Sequence, residues 1–278
     1  MINQKQSVTM KILRTLIVVV ASLFSIFPFW IMLKSSFEPY TSIVSLDFHL
    51  LPEAPSIANY IDVCTNYHLL RWFGNSLIVA FFAIALNMIV DVLAAYALSR
   101  LEFQGKRIAD MMVLSSQIIP VQIIIVPLYL MMVKMKWLDS YKGLILPIAI
   151  SPFIIFYLKQ SFSQIPRVLD EAATLDGCSK IGVLWNVVIP NSKSAIGTGA
   201  LLKFMWVWGD YMWPSLVTKK TVMRTLPVGI ATFQRAGGTF PWELIMPAAV
   251  ISSVPIILLF LFLQKYFIAG LTEGAVKG

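Results

Sequence analysis

From Leu13 to Leu33 the sequence reads LRTLIVVVASLFSIFPFWIML, with Arg14 as its only charge. At about 1.5 Å of rise per residue, a helix of this length crosses the roughly 30 Å hydrocarbon layer of a bilayer. Similar runs recur at about 75–98, 109–133, 143–161, 195–217 and 245–267. Composition agrees: 58% of the residues are hydrophobic and 13% charged, where soluble domains run near a quarter charged. A large soluble core would still need a charged surface, and the residues to make one are missing. The expected fold class is all-α: a polytopic membrane protein with six transmembrane helices. Residues 1–74 then hold an N-terminal tail, the first span and an external connection, and residues 75–278 a five-helix core ending in a tail.

Pro28, Pro120, Pro127, Pro147, Pro152 and Pro255 interrupt the runs. Such breaks are tolerated where neighbouring helices or a water-filled path satisfy the freed carbonyls; helix packing alone accounts for them equally well. Six spans put both termini on one side. With the N-terminus inside, the inner segments hold 12 of the 22 Lys and Arg residues, the outer segments 9, and Lys203 lies inside a span. That is a weak positive-inside bias. It places the termini and the connection at about 163–193 in the cytoplasm. No small-residue cleavage site follows the first run, so it reads as an uncleaved span. The net charge of +8 suits anionic lipid; no basic stripe with interleaved aromatics points to nucleic acid. Cys64 and Cys178 lie in different polar connections, without the spacing of a disulfide framework or metal site. His49 and His68 read as solvated loop residues.

The connection contains EAATLDGCSKIGVLWNVVIP, from Glu171 to Pro190. Ser163–Pro166 reads as a turn. From Val168 good helix formers follow, with acids in the first turns, where the helix dipole favours them. Gly177 suits a left-handed turn. An apolar face resumes at Lys180 and Pro190 is expected to stop it. On composition this is either an amphipathic pair of helices resting on lipid or a docking handle for another protein.

The stretch resembles the EAA loop of ABC-importer permeases. Glu171-Ala172-Ala173, three residues, Gly177, nine residues, then Val187-Val188-Ile189-Pro190 fall in that motif's register. The chain is similar in particular to the carbohydrate-uptake, maltose-type branch and to the smaller of its two permease subunits. The residues that carry this are NSLIVA (Asn75–Ala80), AYALSRLEFQGK (Ala95–Lys106), IPVQIIIVPLY (Ile119–Tyr129), WGDYMWP (Trp208–Pro214) and QKYFIAGLTEGAVKG (Gln264–Gly278). Gly209 departs from the pattern, in which Asn usually precedes the Asp. The resemblance implies a coupling helix carrying Glu171, Ala172, Ala173, Asp176 and Gly177, docked into an ATP-hydrolysing subunit. It also implies a second, different permease, two nucleotide-binding subunits that bind the ATP and Mg, and an extracytoplasmic solute-binding protein. No cofactor is implied for this chain.

No GxxxxGK[ST] phosphate loop and no HExxH occur in the sequence, so a catalytic role has no motif to rest on. A secondary transporter is the main alternative to an ATP-driven permease, and a membrane enzyme a weaker one. A secondary transporter favours intramembrane carboxylates and repeat symmetry; Asp91 is the main buried candidate and no internal repeat is evident. Substrate-pathway candidates are Asp91, Lys203, Trp206, Trp208, Asp210 and Tyr211. The aromatics among them, with Trp213, either stack on sugar rings or anchor at the interface, the anchor being favoured for Trp213. Asp91 lies about 13 Å from the inner end of its span and Lys203 about 12 Å. Unpaired charges at such depth are costly, so the two are expected to pair. A static packing pair, a gate, and a site on Lys203 for an acidic sugar such as a uronide all remain open.

Overall fold

The computed structural model describes residues 8–47, 49–233 and 239–275. Lys5, Arg235 and Lys277, counted above for topology, lie outside the described residues, as do the ends of both tails. Every described element is helical. In chain order these are α1 (Val8–Ser35), the short α2 (Tyr40–Ile43) and α3 (Ala58–Thr65), α4 (Leu69–Arg100), α5 (Lys106–Ser116) and α6 (Val121–Met135). Next come α7 (Tyr141–Ile145), continued by a 3-10 turn Leu146–Ile148, then α8 (Pro152–Ser163), α9 (Arg167–Leu175) and α10 (Lys180–Val183). A π-helical turn, Leu184–Val188, leads to α11 (Ile189–Asn191), α12 (Lys193–Gly209) and α13 (Met212–Val217). α14 (Leu226–Ala231) and α15 (Trp242–Ala275) complete the chain.

α1, α4 and α15 are individually long and apolar enough to cross a membrane, and five spans result if each of two bent pairs counts as one. The expected continuous spans at 109–133, 143–161 and 195–217 are each broken. α5 and α6 meet at 101°, and α7 with its 3-10 turn meets α8 at 43°. The breaks fall where the backbone cannot continue a helix. Pro120 has φ −61° and ψ 133°; Ser151, immediately before Pro152, has φ −130° and ψ 103°. Proline lacks the N–H of the helical ladder, and its ring pushes the preceding residue out of the α region. In the third case no proline acts: Asp210 is extended, with ψ 123°, and α13 restarts two residues later.

The chain divides into two compact units. One comprises the described residues up to Leu69 with Ile230–Ser253. Its loop after α1 is organised by Ser36, whose hydroxyl lies 2.7 Å from the Tyr60 hydroxyl, and by Asn59, which donates to Glu38 O at 2.8 Å. Lys34 and Glu38 form a buried ion pair at 3.1 Å. His49, expected to be merely solvated, lies 3.0 Å from Glu53.

The other unit comprises Leu70–Gly229 and Val254 onward. It has two apolar clusters. Val79 and Ala83 of α4 pack with Met132, Leu144, Ile145, Trp213 and Val217. Farther along α4, Val92, Ala95 and Tyr96 pack with Ile154, Leu158 and Phe162 of α8, the π turn and Ala195. Gly199 of α12 lets Ile154 approach, a Cβ there standing 3.4 Å from its side chain. A tighter fit occurs at Gly229, where a Cβ would fall 2.0 Å from the Trp72 ring, itself held by an Nε1 bond to Thr221 O at 2.8 Å. Gly229→Ala is therefore expected to lower stability by about 1–3 kcal/mol, read as a reduced Tm in detergent. An unchanged Tm would mean that the indole gives way freely.

Candidate functional site

Two places carry the sequence's candidate residues. The first is the break between α7 and α8. Asp91 is fully buried and Lys203 is 5% exposed, yet among the described residues they form no ion pair. Each instead holds one side of the break. Lys203 Nζ donates to Ile148 O at 2.5 Å. Asp91 accepts from Ser151 N at 3.1 Å, and Asn87 Nδ2 donates both to Asp91 at 2.7 Å and to Ala149 O at 3.2 Å. A cation therefore meets the carbonyl end of one short helix and a carboxylate the amide end of the next, the arrangement that both helix dipoles favour. Ser151 adds an N-cap, its hydroxyl accepting from Ile154 N at 3.4 Å. Ile148 O, Ala149 O and Ser151 N, left without helical partners by the break before Pro152, are all satisfied. The expected direct pairing is corrected: the depths match because both charges address the same turn of backbone.

The aromatic candidates separate. Trp208 is 2% exposed, stacked on Phe204 at 5.5 Å and met edge-on by Phe73 at 5.6 Å, so in this conformation its faces are not available to a ligand. Trp213, expected as an interfacial anchor, is a core residue, buried with its Nε1 donating to Gly143 O at 2.9 Å. Trp206 and Tyr211 are exposed. Asp210 accepts from Trp213 N at 3.4 Å, which steadies the first turn of α13.

The second place is α9–α10. Gly177 has φ +85°, and two bonds close the helix around it: Cys178 N to Ala173 O at 2.9 Å and Gly177 N to Thr174 O at 3.0 Å. These are the paired contacts of a Schellman stop. Ser179 then caps α10, accepting from Gly182 N at 3.2 Å. Pro190 does not stop the helix, as expected, but sits in the first turn of α11. The preceding π turn changes the hydrogen-bond register, so a residue without an N–H is accommodated there. Glu171, Ala172, Asp176 and Gly177 are exposed, whereas Ala173 is half-buried against the inner apolar cluster. The exposed face also carries Val168 and Leu175, the latter 89% exposed. It is an apolar helical surface with acids on it.

Sequence reasoning missed the residues that hold this segment. Arg100 Nη1 donates to Asp170 Oδ2 at 3.1 Å. Tyr96 OH donates to Lys180 O at 2.6 Å. Asn87 was also missed, although its spacing of four from Asp91 puts both on one helix face.

The model of a family described as "binding-protein-dependent transport system inner membrane component" matches residues 92–273. The chain is 32% identical over 271 residues to the arabinooligosaccharide transport permease AraQ of Bacillus subtilis, covering 96% of each. It is 34% identical over 279 residues to the trehalose/maltose transport permease MalG of Thermococcus litoralis, covering 99% of each. Its fold is similar to that of a chain in the crystal structure of a bacterial ABC transporter involved in import of the acidic polysaccharide alginate. There the TM-score is 0.83 at 22% identity, with 94% of this chain and 99% of that one covered.

Two substitutions test the sites. Lys203→Met should strand the half-buried Ile148 carbonyl and cost about 1–3 kcal/mol, seen as a lower Tm in detergent; an effect no larger than that of Lys193→Met, an exposed lysine, would remove the clamp. Gly177→Val should cost about 1–2 kcal/mol for left-handed backbone, with a matching loss of protection from proteolysis in the segment 163–193. Unchanged cleavage would show that the turn tolerates a side chain.

Proposed function

The chain belongs to the family of inner-membrane components of binding-protein-dependent transport systems, and from that premise we propose that it imports a sugar or oligosaccharide as half of an ATP-driven translocation pathway. It is a permease subunit of an ABC importer, a non-catalytic membrane component. Family membership decides between ATP-driven uptake and the ion-driven or enzymatic alternatives. The observation that carries the coupling mechanism is the exposed α9 face, with Glu171, Ala172 and Asp176 outward on a helix ended by Gly177. Ala172 leaves room for a close approach, Glu171 offers a charge, and Val168 and Leu175 supply apolar area. We infer that this face docks into a nucleotide-binding subunit, two of which bind the ATP and Mg and hydrolyse the nucleotide.

The finer architecture follows the same reading. α1, α4, the two bent pairs, α12 with α13, and α15 make six spans, with both termini and the 163–193 loop cytoplasmic. Residues 1–74 supply the first span and its external connection, and 75–278 the core. The completed importer pairs this chain with a second, different permease and receives solute from an extracytoplasmic binding protein. The relatives named for arabinooligosaccharides and for trehalose/maltose support the carbohydrate class. Among the pathway candidates the exposed Trp206, one side of which meets Phe153 at 5.5 Å, and Tyr211 are the two that can stack on a sugar ring; Asp91 and Lys203 serve the helix break.

Glu171→Lys should reduce co-purification of the ATPase subunit at least tenfold, or leave it bound with hydrolysis uncoupled from uptake. A cysteine at the exposed Ala172, with Cys64 and Cys178 replaced by Ser, should crosslink to that subunit. Labelling of Ala172→Cys by lipid-phase reagents alone would make the segment a membrane-surface helix instead. Calorimetric titration of the cognate binding protein with neutral and acidic oligosaccharides would identify the solute; binding of none of them would remove the sugar assignment.

A further inference from the structure

Arg100 ends α4, yet its side chain is only 3% exposed. Besides the contact to Asp170, Nη2 donates to Phe162 O and to Ile165 O, the latter at 2.7 Å. Those carbonyls belong to the last turn of α8 and the connection after it, and Asp170 to the first turn of α9. One guanidinium therefore joins three elements. Arg167 Nη2 returns a weaker bond from α9 to Ser99 O at 3.4 Å, and Tyr96, one turn earlier on α4, holds Lys180 O of α10.

Two features distinguish this joint from a surface ion pair. It is largely dry, so its Coulomb attraction is poorly screened, and a planar guanidinium loses little conformational freedom in reaching several acceptors. It is also a one-point contact: Arg100 Nε and Asp170 Oδ1 are both buried without a partner. A two-point fork locks orientation, whereas a single N–H···O contact lets α9 pivot while the charges stay together.

We propose that Arg100 is the positioning residue that transmits displacement of the coupling segment to α4, with Asp170 as its counterpart. The proposal rests on the coupling role assigned to α9–α10 above and adds the route by which that movement enters the membrane. The exposed face of α9 makes the outside contact, and Asp170, on the inner side, passes the movement on. Arg100 carries it to the helix that also bears Asn87 and Asp91, and so to the clamped break.

The test uses the assembled transporter in proteoliposomes, with Cys64 and Cys178 replaced by Ser and one environment-sensitive fluorophore per sample. The label sits either at Leu169→Cys on α9, outside the residues assigned to the docking face, or at Phe82→Cys far along α4, both exposed positions. ATP with vanadate is the probe. In the parent protein both labels should respond. With Asp170→Asn the α9 label should still respond, because the docking face is intact, while the α4 response falls at least fivefold. Asp170→Glu should restore most of it. Exchanging the two residues should not, because an aspartate at position 100 would face the carbonyls of Phe162 and Ile165. An α4 response that survives Asp170→Asn overturns the proposal, as does a lower Tm with the ratio of the two responses unchanged. Silence of the α9 label in the parent protein would instead remove the coupling reading, and the proposal with it.

Discussion

A broken helix in a bilayer leaves polar backbone where no water can meet it, and the clamp at Ile148–Ser151 answers that constraint. The break before Pro152 frees three backbone groups within four residues. Asn87, Asp91 and Lys203 each take up what their chemistry allows: an amide side chain donates to a carbonyl, a carboxylate receives an amide N–H, an ammonium donates to a carbonyl. Burying either charge with nothing to bond would cost several kcal/mol; on the opposing ends of two short helices each finds both a hydrogen bond and a favourable dipole. Along α4 this polar layer lies between the cluster containing Val79 and Ala83 and the cluster containing Val92 and Ala95. The break is thus embedded in packing on both sides.

The inner cluster has a second task. Val183, Leu184, Val187 and Val188 belong to it, so the segment after Gly177 is fastened by its apolar residues while Glu171 and Asp176 stay outside. The π turn and the Schellman stop are the backbone devices that make this division possible. One reverses the chain at Gly177, and the other rotates the register so that Pro190 leads into α12. The docking role proposed for α9 needs both properties together: an exposed face and a rigid root.

Much of this was legible in advance. The apolar runs located α1, α4 and α15 because a helix crossing lipid needs some twenty apolar residues whatever its neighbours. The helix from Val168 was legible from its helix formers, and its turn from the freedom of Gly177 at positive φ. Trp213 was misjudged: an indole at the end of an apolar run looks the same in sequence whether its N–H meets a headgroup or, as here, the carbonyl of Gly143. Pro190 was misjudged because the π turn before it depends on packing among Leu184, Val187 and Val188.

The sequence by itself determined that the chain is helical and membrane-spanning, and where its polar segment from Glu171 turns, since hydrophobic length and the freedom of Gly177 at positive φ are local properties. Only the tertiary structure decided what the buried charges do. Asp91 and Lys203 lie on different helices, and their partners, Ser151 N and Ile148 O, are backbone groups present at almost every position. No side-chain identity marks them; folding alone selects which amide and which carbonyl a proline has freed and which charged group reaches it.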